Sequence, residues 1–415
     1  MQRSILTFNA GSSSIKFAMF EPHSLRAMAS GELEPIGASN ATLTLHHGDA
    51  NSTLPAPRAR DHAHGLELIL ETLRARALLP SPDQLAGVGH RVVHGGEHFA
   101  APVIVDDVVA EQLEAINHLA PLHNPIALAG IQALRQRLSS VPQVAVFDTG
   151  FHHHLPEPTR YYALPLGIQR EHGIRRYGFH GLAHASAAKA AAEFLRRPMS
   201  DLKLLTLHLG NGASACAIRG GRSVDTSMGF TPLEGLVMGT RAGDLDPALP
   251  GYLAERLTGS NAAVATLLQR QSGLLGLCGQ RDMRRVEELA DAGDAGARLA
   301  LDMFCYRARK YVGAYFAVLN GIDALVFSGG IGRHSVTVRA RICAELDALG
   351  IAAEHTKNAS VHDGVVDISP ASTPVRVLVV SIDEEREIAS ATRECLARNG
   401  ALHSNQPGAT HERAD

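Results

Sequence analysis

This chain has no surplus of charge, no long apolar run, no paired-cysteine motif and no Walker-type phosphate loop. Each absence removes a class of protein. The 39 basic and 42 acidic residues leave a net charge of −3, which predicts no binding to nucleic acid or to an anionic membrane. No apolar stretch is long enough to span a bilayer, so no membrane partner is expected. Only Met1-Gln2-Arg3-Ser4 precede the first apolar strand; that leaves no room for a signal peptide and predicts a cytoplasmic protein. The five cysteines (Cys216, Cys278, Cys305, Cys343, Cys395) are scattered, odd in number and never spaced Cys-x-x-Cys. They read as reduced thiols, not as a disulfide or zinc framework. Without a Gly-x-x-x-x-Gly-Lys-Ser/Thr run the chain is not a P-loop enzyme.

What is present is ordinary in composition and unusual in pattern. Hydrophobic content of 45% and charged content of 20% are those of a globular protein, and 415 residues predict two domains. A short phrase occurs twice, about half the chain apart. Ile5-Leu6-Thr7-Phe8-Asn9-Ala10-Gly11-Ser12-Ser13-Ser14 runs on into Ile15-Lys16-Phe17. Leu204-Leu205-Thr206-Leu207-His208-Leu209-Gly210-Asn211-Gly212-Ala213-Ser214 runs on into Ala215-Cys216-Ala217-Ile218. Each copy predicts a β-hairpin with a tight Gly/Ser/Asn turn. Such turns gather backbone N–H groups and small hydroxyls, which suits phosphate oxygens and makes Ser12, Ser14 and nearby Lys16 cofactor-binding candidates. Two copies predict two related halves gripping a polyphosphate from opposite sides.

Strands and helices alternate along the rest. Leu66–Leu79 has helical spacing and ends at Pro80; Gly87–Gly96 is a strand running into a glycine turn. Helices are predicted over 106–118, 126–138, Ala183–Leu195, 248–257, 284–291, 295–319 and 383–398. The strand Val144–Phe147 delivers Asp148 at its end, and Ala324–Phe327 delivers Ser328-Gly329-Gly330-Ile331-Gly332. Polar residues at strand tips with helices between indicate an α/β fold that binds ligands at those tips. The run His152-His153-His154 reads as surface or loop histidines, since adjacent side chains diverge and no carboxylate or cysteine set completes a metal site.

Longer strings carry a resemblance. They are Asn9–Ser14 with Lys16, Gly89-His90-Arg91-Val92-Val93-His94-Gly95-Gly96, Pro121-Leu122-His123-Asn124-Pro125 and Phe147-Asp148-Thr149-Gly150-Phe151-His152. Further on stand Arg176-Tyr177-Gly178-Phe179-His180-Gly181, His208–Gly212 and Asp225–Gly235, with Met238-Gly239-Thr240-Arg241 and Gly243-Asp244. Over nearly its whole length the chain resembles the acetate/propionate kinase family of the actin, sugar-kinase and Hsp70 superfamily. The resemblance implies an α/β fold of two duplicated ribonuclease H-like (actin-like ATPase) domains facing across a cleft. It implies a first domain of 1–150 plus 385–415, and a second of 151–384 carrying most of the nucleotide site. It also implies a homodimer.

The activity implied is reversible, Mg²⁺-dependent transfer of the ATP γ-phosphoryl group to acetate, giving acetyl phosphate and ADP, with Mn²⁺ as an alternative metal. Propionate or butyrate is the alternative acceptor. A carboxylate is a nucleophile at neutral pH, so such a site needs positioning and charge neutralisation rather than a strong base. By resemblance the catalytic set is Arg91, Arg241, Asp148, His180 and His123, the two arginines clamping carboxylate and phosphoryl oxygens. Arg91, Val93, Leu122, Phe179 and Pro232 correspond to the acyl pocket. Asn9 and Glu384 correspond to the magnesium-linked pair. Phosphate contacts fall on His208, Leu209, Gly210, Asn211 and Gly212. Ribose and adenine contacts fall on Asp282, Met283 and Arg284, then Gly330, Ile331, Gly332, Arg333 and His334. Here the chain departs from the family, which usually has Glu-Asn where Arg333-His334 stand, and small hydroxyl residues where Cys278–Arg281 stand. The departures bear on the choice of ATP over other nucleotides or pyrophosphate. A nucleotide-driven binding switch of the actin or Hsp70 kind is the third reading; it has no use for paired carboxylate-binding arginines.

Overall fold

The computed structural model describes residues 3–401 apart from Ser12, Pro80 and Leu122, with the backbone alone at Thr258. The chain divides into two compact units, Met1–Gly150 with Glu384–Asp415, and Phe151–Asp383.

Unit 1 grows from the first hairpin. Strands β1 (Ser4–Ala10) and β2 (Ile15–Phe20) pair antiparallel, with Asn9 opposite Lys16 and Ala10 opposite Ile15. Strands β3 (Ala27–Glu34), β4 (Thr42–His47) and β5 (Ala50–Pro55) extend the sheet antiparallel to one edge. Strands β6 (Leu85–Val92), β7 (Val103–Ile104) and β8 (Gln143–Phe147) build the other side: β6 parallel to β1, β8 parallel to β6, and β7 antiparallel to β8. Along β6 the side chains alternate faces. Val88 joins Leu6, Phe17, Leu33, Ile69, Leu73 and Leu134 in a buried cluster that includes residues of the helices His62–Ala75 and Asn124–Arg137. Gly87 and Gly89 face the helix Glu384–Arg398 instead. A Cβ on Gly87 would lie 2.7 Å from Leu396, and one on Gly89 would collide with Thr392. The missing side chains let that last helix lie directly on the strand, which brings Glu384 to the strand ends of unit 1.

The first helix begins at His62, not Leu66, because the Asp61 carboxylate caps it through His64 N (2.9 Å). It ends at Ala75, and Ala77 at φ 54° turns the chain before Pro80.

Unit 2 repeats the plan. Strands β9 (Lys203–Leu209), β10 (Ala213–Arg219), β11 (Arg222–Thr226), β12 (Ala324–Ser328), β13 (Val365–Asp367) and β14 (Arg376–Val380) lie in the order β11-β10-β9-β12-β14-β13. Unit 1 has β3-β2-β1-β6-β8-β7 in the same places, with the same parallel and antiparallel senses at every junction. Among the described strands only β4 and β5 lack a counterpart. The two units are duplicates, and the fold is α/β. The helix Gly181–Leu195 packs Ala187, Ala188 and Ala191 against Leu204, Val326 and Leu378 of the second sheet. Where one helix was expected over 248–257, the α-helix Leu249–Leu253 passes into a single π-helical turn, Ala254–Thr258. Among the described residues no helix is long and apolar enough to cross a membrane.

Candidate active site

In unit 1 the ends of β1, β6 and β8 and the start of the last helix converge on one guanidinium. Arg91 Nη2 donates to Asp148 Oδ2 at 2.5 Å, and Nη1 donates to Asn9 Oδ1 at 3.0 Å. Asn9 Nδ2 in turn donates to Glu384 Oε2 at 3.2 Å and to Glu385 Oε1 at 3.5 Å. Burial opposes the charge on Arg91; Asp148 first, then Glu384 and Glu385, more than offset it, and the pKa is raised. Arg91 Nε is buried without a hydrogen-bond partner among the described residues. A two-sided clamp therefore fixes this side chain while one buried N–H is left for something else.

The loop after β6 is held just as firmly. Asn124 brackets the His94 peptide, accepting from His94 N (3.1 Å) and donating to His94 O (2.8 Å), and Gly95 N donates to Thr149 Oγ1 (3.0 Å). These bonds set Val93, which is 9% exposed. His123 stands at the N-cap of the helix Asn124–Arg137. Within the first turn, Gly11 N bonds Ser14 O at 2.8 Å, and Lys16 lies in register between Asn9 and Glu32. Ser12 and Leu122, both sequence candidates, lie outside the described residues.

Unit 2 gathers a second set. His180 sits at φ 58°, ψ 28°, a left-handed position ahead of the helix Gly181–Leu195. Its Nδ1 lies 2.9 Å from Ser214 Oγ, and its ring centroid is 4.8 Å from that of His208. A Cβ on Gly212 would stand 3.3 Å from the His180 ring and 3.5 Å from Arg241 Nη1. The glycine turn of the second hairpin thus lies directly against both. Arg241 donates to Pro232 O at 3.2 Å and contacts Met238 Sδ at 3.5 Å. Burial lowers its pKa, and no carboxylate among the described residues pairs with it. The segment that carries Pro232 is braced by Glu234, which accepts from Arg176 (2.5 Å) and Tyr162 (2.6 Å). Phe179 is buried, and its carbonyl accepts from His152 Nε2 at 3.1 Å.

The candidate nucleotide residues divide. Ser328 Oγ lies 3.3 Å from His208 Nδ1, and a Cβ on Gly329 would meet Leu209 O at 2.5 Å, so the start of 329–332 abuts the turn 208–212. A Cβ on Gly239 would meet both the Asn211 amide and Arg281 O, which brings 281–282 to the same turn. Asp282 is an exposed N-cap that accepts from Arg284, and that bond holds its carboxyl below the usual range. Met283, by contrast, is buried core at 3% exposure. Arg333 turns to Asp363 in an ion pair, and His334 is exposed.

Several structural supports have no sequence signal. Arg339, 1% exposed, donates to Gly332 O (3.0 Å) and Arg333 O (2.6 Å) and so holds the glycine turn from beneath. His152 corrects the reading of its run as surface or loop histidines. It is 0% exposed, bonded to Ser223 and Phe179, and kept neutral by burial, which pushes its pKa down to about 4.

Among the described residues no cluster of three or more His, Cys, Asp or Glu could hold an ion unaided. Mg²⁺ needs less than that, because it takes one or two protein carboxylates and fills its shell with phosphate oxygens and water. Glu384, with Glu385 beside it, fits. Asn9 offers Glu384 its amide nitrogen and gives its oxygen to Arg91, so in this arrangement it orients the carboxylate.

Comparisons with known proteins agree with one another. The sequence profile of the Acetokinase family matches residues 4–390. The acetate kinase of Syntrophobacter fumaroxidans is 46% identical over 404 residues, covering 95% of this chain and 98% of that one. The acetate kinase of Helicobacter acinonychis is 44% identical over 398 residues, covering 95% and 100%. Among solved structures, Porphyromonas gingivalis acetate kinase superposes with a TM-score of 0.88 at 38% identity, over 95% of this chain and 100% of that one. A propionate kinase from Francisella tularensis superposes with a TM-score of 0.87 at 37% identity, over 94% and 98%.

Proposed function

This chain belongs to the acetokinase family, and on that premise we propose how its residues divide the work of phosphorylating acetate. The chain is a kinase that uses ATP and acetate and forms acetyl phosphate and ADP. Acetate is ionised at neutral pH and attacks without help from a base. The protein's task is to bring two anions together and to neutralise charge on the phosphoryl oxygens as it spreads.

Arg241 carries the reading. A half-buried guanidinium with no carboxylate beside it is costly unless an anion comes to it. It lies against the Gly212 turn together with His180, so Arg241 and His180 donate to the transferring phosphoryl group. Arg91, already balanced by Asp148, binds the acetate carboxylate with N–H groups left over from its bonds to Asn9 and Asp148. Asp148 keeps that fork in place. Val93, Phe179 and Pro232, with Leu122, line the methyl group, and His123 stands by as a second donor. His208 to Gly212 hold the phosphates with Ser12, Ser14 and Lys16. Gly330 to Gly332, Asp282 and Arg284 flank the nucleoside, and Met283 supports them from the core. Glu384, with Asn9 as its support, would hold Mg²⁺, which would supply neutralisation of phosphate charge. The nucleotide is held mostly by unit 2, in a domain bounded near 151 and 384.

We further propose a homodimer formed through unit 2. Leu299, Met303 and Tyr306 make an exposed apolar stripe on the helix Ala295–Leu319, at 52%, 38% and 62% exposure. A cytoplasmic location accords with five free thiols and with ATP as co-substrate.

The test is acyl-phosphate formation, trapped with hydroxylamine, for acetate, propionate and butyrate with ATP and Mg²⁺. The expected result is the highest kcat/KM for acetate. A higher value for propionate would move the acceptor one methylene along, a step worth only about 1–3 kcal/mol in such a pocket.

A further inference from the structure

Behind His180 in unit 2 runs a row of buried polar side chains that the reaction above does not use. Ser214 Oγ stands 2.9 Å from His180 Nδ1 and 2.8 Å from His184 Nε2. His184 Nδ1 stands 2.7 Å from Thr206 Oγ1. Ser214, His184 and Thr206 are all 0% exposed. Burial, with His152 and His208 acting the same way, holds the His184 pKa well below its ordinary value, so this ring is neutral and carries one N–H.

Proton counting then leaves two arrangements. Ser214 has one hydroxyl proton and no other side-chain hydrogen bond among the described residues to take it, so it donates to one histidine and accepts from the other. In the first arrangement Thr206 donates to His184 Nδ1, His184 Nε2–H donates to Ser214, and Ser214 donates to His180 Nδ1. Every proton in the row has an acceptor, and the neutral His180 ring carries its proton on Nε2. The reverse arrangement needs Thr206 as an acceptor. Its own hydroxyl proton would then be stranded in the core, since Thr206 makes no other side-chain hydrogen bond among the described residues. The duplicated half supports Thr206 as the donor. Thr7 holds the same place in the first hairpin, and its hydroxyl donates to the carbonyl of Ala18 at 3.2 Å. In unit 2 that hydroxyl has been turned onto a histidine.

We propose that Thr206, acting through His184 and Ser214, is a positioning residue that fixes His180 as its Nε2–H tautomer, so that the ring meets the transferring phosphoryl group as a donor. The inference rests on the reading of His180 given above. The relay moves no proton during turnover; it settles beforehand which nitrogen carries one.

The test is imidazole ¹⁵N–¹H correlation spectroscopy on the full-length protein, paired with steady-state kinetics. The wild type should show His180 as a single Nε2–H tautomer. Thr206→Val should give a tautomer mixture and lower kcat by about two- to tenfold, with both KM values unchanged, and Thr206→Ser should restore both readouts. Ser214→Ala should also mix the tautomers, and in that background Thr206→Val should lower kcat no further. An unchanged single tautomer in Thr206→Val or in Ser214→Ala would overturn the relay, as would equal kcat losses from Thr206→Val in both backgrounds. If His180→Ala kept full kcat, the catalytic reading of His180 would fall while the tautomer result stood on its own.

Discussion

His90 gives the sharpest test of the folded state, because its contribution can be worked out in advance. Its Nε2 lies 2.8 Å from Gln143 Oε1, while Gln143 Nε2 donates to Val141 O at 2.9 Å. The Gln143 oxygen is therefore the acceptor, Nε2 carries the proton, and the ring is neutral. Burial pushes the His90 pKa from 6.5 down to about 4, against a smaller opposing effect of the Gln143 bond. The pKa is lower in the folded state, so between those values the unfolded chain binds more protons and acid favours unfolding. The stabilisation is complete above pH 6.5 and is lost as the pH falls toward 4. Going from pH 7 to pH 5, this one group should remove about 2 kcal/mol from unit 1. The perturbation is His90→Gln, compared with wild type by urea unfolding at pH 7, 6 and 5. The chain has no tryptophan, so far-UV circular dichroism is the probe. Any loss of packing in the variant is independent of pH, and the carboxylates common to both proteins cancel. The stability difference should therefore shift in favour of the variant by about 2 kcal/mol between pH 7 and pH 5. A shift below about 0.5 kcal/mol, or a folded-state His90 titrating near 6.5, would refute the reasoning.

Three further outcomes are expected. Arg241→Gln should lower kcat by about a hundredfold or more while leaving the thermal midpoint unchanged or raised, since it removes a half-buried charge that has no counter-ion; a lowered midpoint would mark Arg241 as structural. Glu384→Gln should raise the Mg²⁺ concentration needed for half-maximal activity by about tenfold, and Glu385→Gln by less, as read from metal titrations at saturating ATP. Gly89→Ala should destabilise unit 1 by about 1–3 kcal/mol in chemical unfolding, because its methyl group collides with Thr392 and Ile388; a neutral result would mean that the last helix does not rest on β6.

Much of this was legible in the chain, and what was not has physical reasons. The hairpins showed themselves because apolar strands flank glycine turns twice, and Asp148 and Ser328 showed themselves because buried runs end on them. Two other strands did not. Ala27–Glu34 is interrupted by Ser30, Gly31 and Glu32, Val365–Asp367 is only 3 residues long, and nothing local marks either. The Arg91 clamp was only half visible. Arg91 and Asp148 are each prominent, but their pairing is a consequence of β6 lying beside β8. His184 is a single histidine in an alanine-rich helix, and Thr206 is one threonine in a strand; only the packing of that helix on β9 brings them together. Arg333 and His334 stood out as departures, and the structure adds that Arg333 turns to Asp363.

The helix Glu384–Arg398 belongs to the sheet that starts at Ser4, and this imposes an order on synthesis. Unit 2 is one uninterrupted stretch, so all of it is synthesised before the helix that covers β6. Until then the strip of strand at Gly87 and Gly89 is bare, with no side chains of its own to shield it. The half that begins first is the half that finishes last. A nascent chain halted at 383 carries the whole sequence of unit 2 and an open first sheet, which is the species a chaperone would meet.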